Sequence, residues 1–409
     1  MFFKKFPALA SSDFRIWWAG QLVSSIGNQM QIVAVNWQIY TLTHSALALG
    51  LLGLIRFVPI IFCSLLGGMI ADNYNRKITN LIMQFVMLAI AGAFFSLTLT
   101  HTVVPAWIYA LTLVHTIAYS FELPTRHAFI PNIVKTEQLS SAMSLNTILR
   151  ETATIAGPSL AGFLIAIFDV GPVYLMNVLS FLVIIVSLAF IKASGRVEKS
   201  SQSAVSWRSM KEGLNFVRSK TMIWSTMILD FFATFFSGAM TLMPIFAVDV
   251  LKVGPQGLGI LYSAPSVGAV ITGLYIAHRH TISKQGKVLL IAVVFYGLGT
   301  IIFGLSKSFW LSCLALFIVG AGDSISAIIR NVVRQTITPD KLRGRMVAIS
   351  MIFFIGGPQL GEFEAGIVAS LIGAPLGVAL GGVGTIAVVA IMAYLLPQLR
   401  NYSEKNRSF

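Results

Sequence analysis

Apolar residues in this chain run together in stretches of about twenty to thirty, each closed by a short polar, basic or Pro/Gly-bearing break. A bilayer core takes about 20 apolar residues per helix. Twelve runs reach that length, near 14–42, 45–71, 79–99, 104–131, 140–168, 172–192, 221–248, 256–278, 286–305, 309–336, 344–371 and 375–397. The first is long and has no small-residue cleavage site before polar sequence, so it is expected to remain as a helix and not to leave as a signal peptide. The pattern predicts an all-α polytopic membrane protein.

Composition agrees. Of 409 residues, 56% are hydrophobic and 11% charged, against roughly 25% charged in soluble domains; mean hydropathy is +0.81. That excludes a soluble enzyme, a disordered chain and a secreted disulfide scaffold. Cys63 and Cys313 lie inside apolar runs, with neither disulfide nor metal-ligand spacing. The histidines form no H-E-x-x-H, and His278 and His280 on a basic loop are a weak metal signal. No G-x-x-x-x-G-K-[ST] is present, so no P-loop hydrolyses ATP here. Neither cofactor nor metal is expected, and no cluster suggests an enzyme.

The net charge of +14 would suit a nucleic-acid partner if it formed one patch, but it follows the loops instead. With the N-terminus cytoplasmic, the inside segments hold 22 of the 29 Lys and Arg and the outside loops only Lys252 and Lys307. The other five, Arg56, Arg126, Arg150, Arg330 and Arg334, lie within spans. Lys and Arg concentrate on the cytoplasmic side of membrane proteins, so both termini are expected inside and no nucleic acid is expected as a partner.

One inside segment, 193–220, is long and rich in Ser, Lys and Arg. It divides the chain into an N-terminal half (1–192) and a C-terminal half with a short tail (221–409), six spans each. The halves repeat weakly. Glu137-x-Leu139 matches Asp340-x-Leu342, Arg126 matches Arg330, and Gly157-Pro158 matches Gly357-Pro358, at offsets between 200 and 204 residues. Such repeats mark transporters whose substrate binds near the bilayer midplane between the halves. The Gly-Pro pairs would loosen helix hydrogen bonding and allow bending.

Between spans 2 and 3 stands Gly67-Gly68-Met-Ile-Ala-Asp72-Asn-Tyr-Asn75-Arg76-Lys77. It resembles the G-x-x-x-D-R-x-G-R-[RK] signature of the major facilitator superfamily, matching at Gly68, Asp72, Arg76 and Lys77 and departing at Asn73 and Asn75. The resemblance implies twelve transmembrane helices in two pseudo-symmetric six-helix bundles, rocking between inward- and outward-facing states. Pro124-Thr-Arg126-His-Ala128-Phe-Ile-Pro131 and Gly356-Gly-Pro358-Gln-Leu360-Gly361-Glu362-Phe-Glu364-Ala-Gly366 are similar to the enterobactin-exporter branch, which includes macrolide-efflux relatives. That implies proton-coupled export of a siderophore or similar amphipathic small molecule across a bacterial inner membrane, with macrolide or multidrug efflux as the alternative. The direction is inherited from the resemblance alone. An importer, or a transporter-like sensor that binds without moving its ligand, stays open.

Charges are expensive inside a bilayer and mark ion or substrate pathways. The acids within spans are Glu122, Glu151, Asp230, Asp323, Glu362 and Glu364. Asp230 shares a stripe with Thr226, Thr234, Ser237 and Thr241, and no arginine lies within a turn of it. A lone carboxylate there is a natural place to bind and release a proton. Asp230, Glu122 and Glu362 are the proton-coupling candidates. Span 4 sets His115, Tyr119, Glu122 and Arg126 within about 60° of arc. Two readings are open: a proton relay, or a structural pair of Glu122 with Arg150 of span 5.

Span 1 carries Gln21, Ser24, Asn28, Gln31 and Gln38 on one side, lining either a cavity or a dry interhelical seam. Asp323 shares a stripe with Arg330 and Arg334, which either bind an anionic substrate or anchor the following loop. Gln359 shares the Glu362 face. Gln21, Asn28, Gln31, His115, Tyr119, Arg126, Arg150, Asp323 and Gln359 are the cavity candidates.

Gly68, Asp72 and Arg76 form the expected conformational latch, joined by Arg56 of span 2 and Glu364 of span 11. Arg56 lies at a depth similar to Glu362 and Glu364, and in the superfamily spans 2 and 11 pack together, so it is expected to pair with one of them. Asp72 would cap a helix N-terminus, where the dipole favours negative charge, or pair with Arg343 or Arg345. Lys77 reads as ordinary cytoplasmic positive charge.

Overall fold

The computed structural model describes residues 6–196, 207–278, 284–339 and 342–403. All regular structure among them is helical. Twelve helical spans follow the apolar runs: α1 Ser12–Thr43, α2 Ala46–Asn73, α3 Arg76–Leu99, α4 Pro105–Ile133, α5 Leu139–Phe168, α6 Gly171–Phe190, α7 Thr221–Phe236, α8 Gly254–His278, α9 Gln285–Leu305, α10 Phe309–Ile337, α11 Arg343–Ile372 and α12 Ala374–Leu395. Among the described residues nine are long and apolar enough to cross a membrane. The other three, α1, α4 and α11, are 32, 29 and 30 residues long and carry polar or charged stripes. Large apolar side chains such as Phe62, Phe190, Leu274, Trp310 and Leu371 are exposed, as lipid-facing helix surfaces require.

The chain divides into two compact units, Met1–Thr43 with Val58–Val205, and His44–Phe57 with Ser206–Phe409. This departs from the expected division at residue 192 in one respect: the first part of α2 packs with the C-terminal helices. The expected linker contains a helix. Trp207–Ser219 is an amphipathic helix whose Phe216 and Val217 pack with Ile223, Trp224, Met346 and Ile349.

In the first unit α1 packs on α4, α5 and α6, and α3 on α4 and α6. Phe14, Trp17, Met87, Phe129 and Phe181 fill its core. In the second unit α7 packs on α10, α11 and α12, and α9 on α10 and α12. These five pairings recur after a shift of six helices, while α8 also packs on α10 in the second unit. The matched Gly-Pro pairs sit at matched crossings: Gly157 of α5 backs onto Gln29 and Ile26 of α1, and Gly357 of α11 onto Phe231 and Thr234 of α7.

Span 7 does not run through as its hydropathy suggests. Beyond α7 come a 3-10 turn (Ala239–Leu242), one α turn (Met243–Ile245) and a π turn (Phe246–Val250). Side-chain hydrogen bonds tie the broken segment to neighbouring helices. Thr385 Oγ1 donates to the Ala233 carbonyl at 3.1 Å, the Ser237 and Thr385 hydroxyls lie 3.0 Å apart, and Thr241 Oγ1 donates to the Leu49 carbonyl at 3.1 Å.

Candidate functional site

In the first unit, Glu122 and Arg126 stand one turn apart on α4, with Arg126 Nη1 3.5 Å from Glu122 Oε1. Gln84 of α3 donates its Nε2 to the same oxygen at 3.5 Å. Glu122 is 1% exposed. These side chains, with Tyr119 of α4 and Gln21 and Asn28 of α1, border a cavity of about 20 Å³, room for a water molecule. His115 stacks on Tyr119 with ring centroids 6.5 Å apart.

Three candidates, Gln31, His115 and Arg150, do not border this cavity. Gln31 accepts from Asn177 Nδ2 at 2.7 Å, in the seam between α1 and α6; Gln38 accepts there from the Tyr174 hydroxyl at 2.8 Å. The polar stripe of α1 therefore divides between a cavity and a dry seam. Arg150 does not neutralise Glu122. It is exposed and holds Glu151 Oε1 through Nη2 at 3.0 Å and Nε at 3.3 Å.

In the second unit the expectation of a lone Asp230 fails. Arg330 Nη1 of α10 lies 2.8 Å from Asp230 Oδ1 and also donates to Ser326 Oγ at 2.8 Å. Arg330 Nη2 lies 3.5 Å from Asp323 Oδ1. Asp230 and Arg330 are each 2% exposed, while Asp323 is half-exposed. A cavity of about 10 Å³ lies against Thr234, Tyr296, Asp323, Ser326 and Arg330. Arg334 binds along its own helix, to the Arg330 carbonyl at 3.2 Å and Asn331 Oδ1 at 2.8 Å.

The first part of α2 meets α11 within this unit. A Cβ on Gly50 would lie 2.8 Å from Gly366 Cα, so the two backbones touch. That approach places Arg56 Nη1 3.4 Å from Glu362 Oε2. Glu364, the other expected partner, is half-buried and pairs with no described residue. Gln359 lies one turn before Glu362, its Oε1 buried without a hydrogen bond from a described residue.

The loop from α2 to α3 is tied into the first unit. Asn75, one of the departures from the superfamily signature, caps α3: its Oδ1 accepts from Lys77 N at 3.0 Å and Ile78 N at 3.3 Å. Its Nδ2 donates to the Ser194 carbonyl at 2.8 Å. Arg76 donates to the carbonyls of Ala71 (3.1 Å) and Ala128 (3.0 Å) and to Asn132 Oδ1 (3.0 Å). Lys77 is more than loose positive charge: its Nζ binds the Ile191 carbonyl at 2.6 Å, just past α6, where a cation suits the helix dipole. Asp72 is exposed, and the side chains of Arg343 and Arg345 lie outside the described residues. Apart from its own helix backbone, no described atom stands within 4 Å of a Cβ position on Gly68.

Gly195 closes this loop at φ +59°, and a Cβ there would lie 2.6 Å from Lys77 N. Gly195→Ala is expected to cost about 1–3 kcal/mol through left-handed strain, plus the clash. Gly254→Ala, at φ +65° with open space around it, carries the strain alone. Thermal unfolding should show the larger loss for Gly195; equal losses would mean that the contact with Lys77 is slack.

Among the described residues no three His, Cys, Asp or Glu side chains gather as a metal site. The family model described as transmembrane secretion effector matches residues 4–408. The chain belongs to that family. Similar proteins include macrolide efflux protein A of Streptococcus pyogenes, 22% identical over 95% of this chain and 96% of that one. The staphyloferrin A transporter of Staphylococcus aureus is 22% identical over 92% and 94%, and the enterobactin exporter of Citrobacter koseri 23% over 96% and 93%. Among solved structures, a bacterial homologue of the human lysosomal transporter Spinster superposes with a TM-score of 0.73 at 14% identity, covering 95% of this chain and 96% of that one. The fold is that of the major facilitator superfamily, and this chain is a multi-pass membrane transporter, not an enzyme.

Several side chains in the transporter's polar clusters escaped sequence reading. Gln84 has a signal, since Asn80 and Gln84 are two amides four residues apart in an apolar run. Tyr296, on the second cavity with Asp323 and Arg330, stands one turn before Thr300 in a mostly apolar span. Ser326 occupies in α10 the place that Glu122 has in α4, one turn before the matched arginine.

Proposed function

We propose that this transporter exports a siderophore or similar amphipathic small molecule from the cytoplasm in exchange for protons. It would work by alternating access in a bacterial inner membrane, with both termini cytoplasmic. The observation that carries the substrate class is full-length similarity to an enterobactin exporter and a staphyloferrin A transporter. Support for ion coupling comes from three acid–arginine pairs at membrane depth, Glu122–Arg126, Asp230–Arg330 and Arg56–Glu362. Such groups mark ion and substrate pathways. Arg126 and Asp323, on the cavities, are suited to meet the polar groups of a cargo, and Arg56–Glu362 to act as a latch.

Deleting the gene should lower iron-chelating activity in the medium of iron-starved cells, and a plasmid copy should restore it. An unchanged medium rejects the siderophore. Macrolide efflux is the second reading, favoured by the match to macrolide efflux protein A; it expects the same deletion strain to become more sensitive to macrolides.

A further inference from the structure

The polar atoms around Glu122 are incompletely bonded, and the gaps fall into two complementary sets. A carboxylic acid and a primary amide form a closed pair with two hydrogen bonds: amide N–H to one carboxyl oxygen, and carboxyl O–H to the amide oxygen. Gln84 and Glu122 make the first, Nε2 to Oε1 at 3.5 Å. The atoms of the second, Glu122 Oε2 and Gln84 Oε1, are both buried and both without a partner. Two acceptors cannot satisfy each other, whereas one proton on Oε2 turns that oxygen into a donor.

The other set involves Arg126. Its Nη1 is 3.5 Å from Glu122 Oε1, and its Nε is buried without a partner. An ionised carboxylate takes two parallel N–H bonds from a guanidinium. Nε forks with Nη2 and not with Nη1, so a shift of the carboxylate onto the Nε–Nη2 edge, bringing Oε2 to Nε, would satisfy both atoms. Oε2 cannot serve the amide and the guanidinium at once, so the two arrangements exclude each other.

We propose that Glu122 is a proton-binding site with two alternative partners: the Gln84 amide when protonated and the Arg126 guanidinium when ionised. Residues facing its cavity from α1, α3 and α6 are neutral; the titratable and charged ones beside Glu122 are Tyr119 and Arg126, both on α4. Tyr119 and Arg126 border the same cavity, one on either side of Glu122 along α4. The cavity admits a water molecule beside Asn28 Oδ1, another buried acceptor without a partner. Asp230 differs: Arg330 holds it at 2.8 Å, leaving no such choice. This deepens the proton-exchange reading and depends on it only for the site's part in transport.

The test is infrared difference spectroscopy of the purified full-length protein in lipid nanodiscs, titrated with pH in H₂O and D₂O without cargo. Wild type should show a protonated-carboxyl C=O band that disappears as the carboxyl ionises and is absent in Glu122→Gln. Gln84→Leu should move that band to higher frequency and weaken proton binding about tenfold, the value of one lost hydrogen bond. Gln84→Met provides the same readout if the leucine variant does not fold. A band that survives Glu122→Gln, or one unmoved in frequency and titration by either Gln84 change, overturns the proposal. No cargo takes part, so failure here leaves the export reading standing, and failure of siderophore secretion leaves this site standing.

Discussion

Arg330→Met is expected to destabilise the protein by about 3–5 kcal/mol, the usual cost of removing one member of a buried ion pair. The substitution leaves Asp230 ionisable, 2% exposed and without the guanidinium that lies 2.8 Å away. Asp323 loses the same partner but is half-exposed, so water compensates it. Adding Asp230→Asn should restore most of the loss, because a neutral pair has little desolvation cost to offset. Thermal unfolding in detergent gives the comparison. A double variant no more stable than Arg330→Met would show that Arg330 acts through packing or Ser326, not through the charge of Asp230.

Arg56→Glu or Glu362→Arg alone should abolish secretion in the deletion strain, and the two together should restore it. Each single change sets like charges about 3–4 Å apart where water is scarce, a repulsion of several kcal/mol at an effective dielectric near 20. The helices cannot part to relieve it without breaking the Gly50–Gly366 contact, where a Cβ on Gly366 would lie 2.6 Å from Gly50 Cα. The swap returns opposite charges to the same place. Thermal unfolding of purified variants gives a readout independent of cargo. A swap that recovers neither stability nor secretion would end the latch reading.

The particular residues show which parts of this structure can be read from the chain. Span positions follow from apolar run length, because each helix must cross the same hydrocarbon thickness. The break after Phe236 is marked only by Ser237-Gly238 and Pro244 inside a run that stays apolar on either side; there Gly238 packs on Gly361 and Ser237 contacts Thr385. Faces were readable and neighbours were not. Helical period places Asp230 on a polar stripe but does not say that α10 supplies its arginine. Counting depth along adjacent helices brought Arg150 to the level of Glu122, yet the arginine points to an exposed face. The same counting reaches Arg56 and Glu362, where two glycine-lined backbones touch and depth nearly determines contact. In the loop before α3, Asn75 looks like a defect in a signature; its capping bonds show a working substitute.

The first part of α2 carries a consequence for anyone dividing this protein. Leu49, Gly50 and Arg56 belong to the second unit although they precede the linker. A cut between residues 196 and 207 would separate the two sequence repeats but not the two folded bodies. The C-terminal fragment would keep Glu362 without its guanidinium, Thr241 without the Leu49 carbonyl it bonds, and Gly366 without its opposite glycine. Genetic modularity and structural modularity are thus out of register by a stretch of one helix.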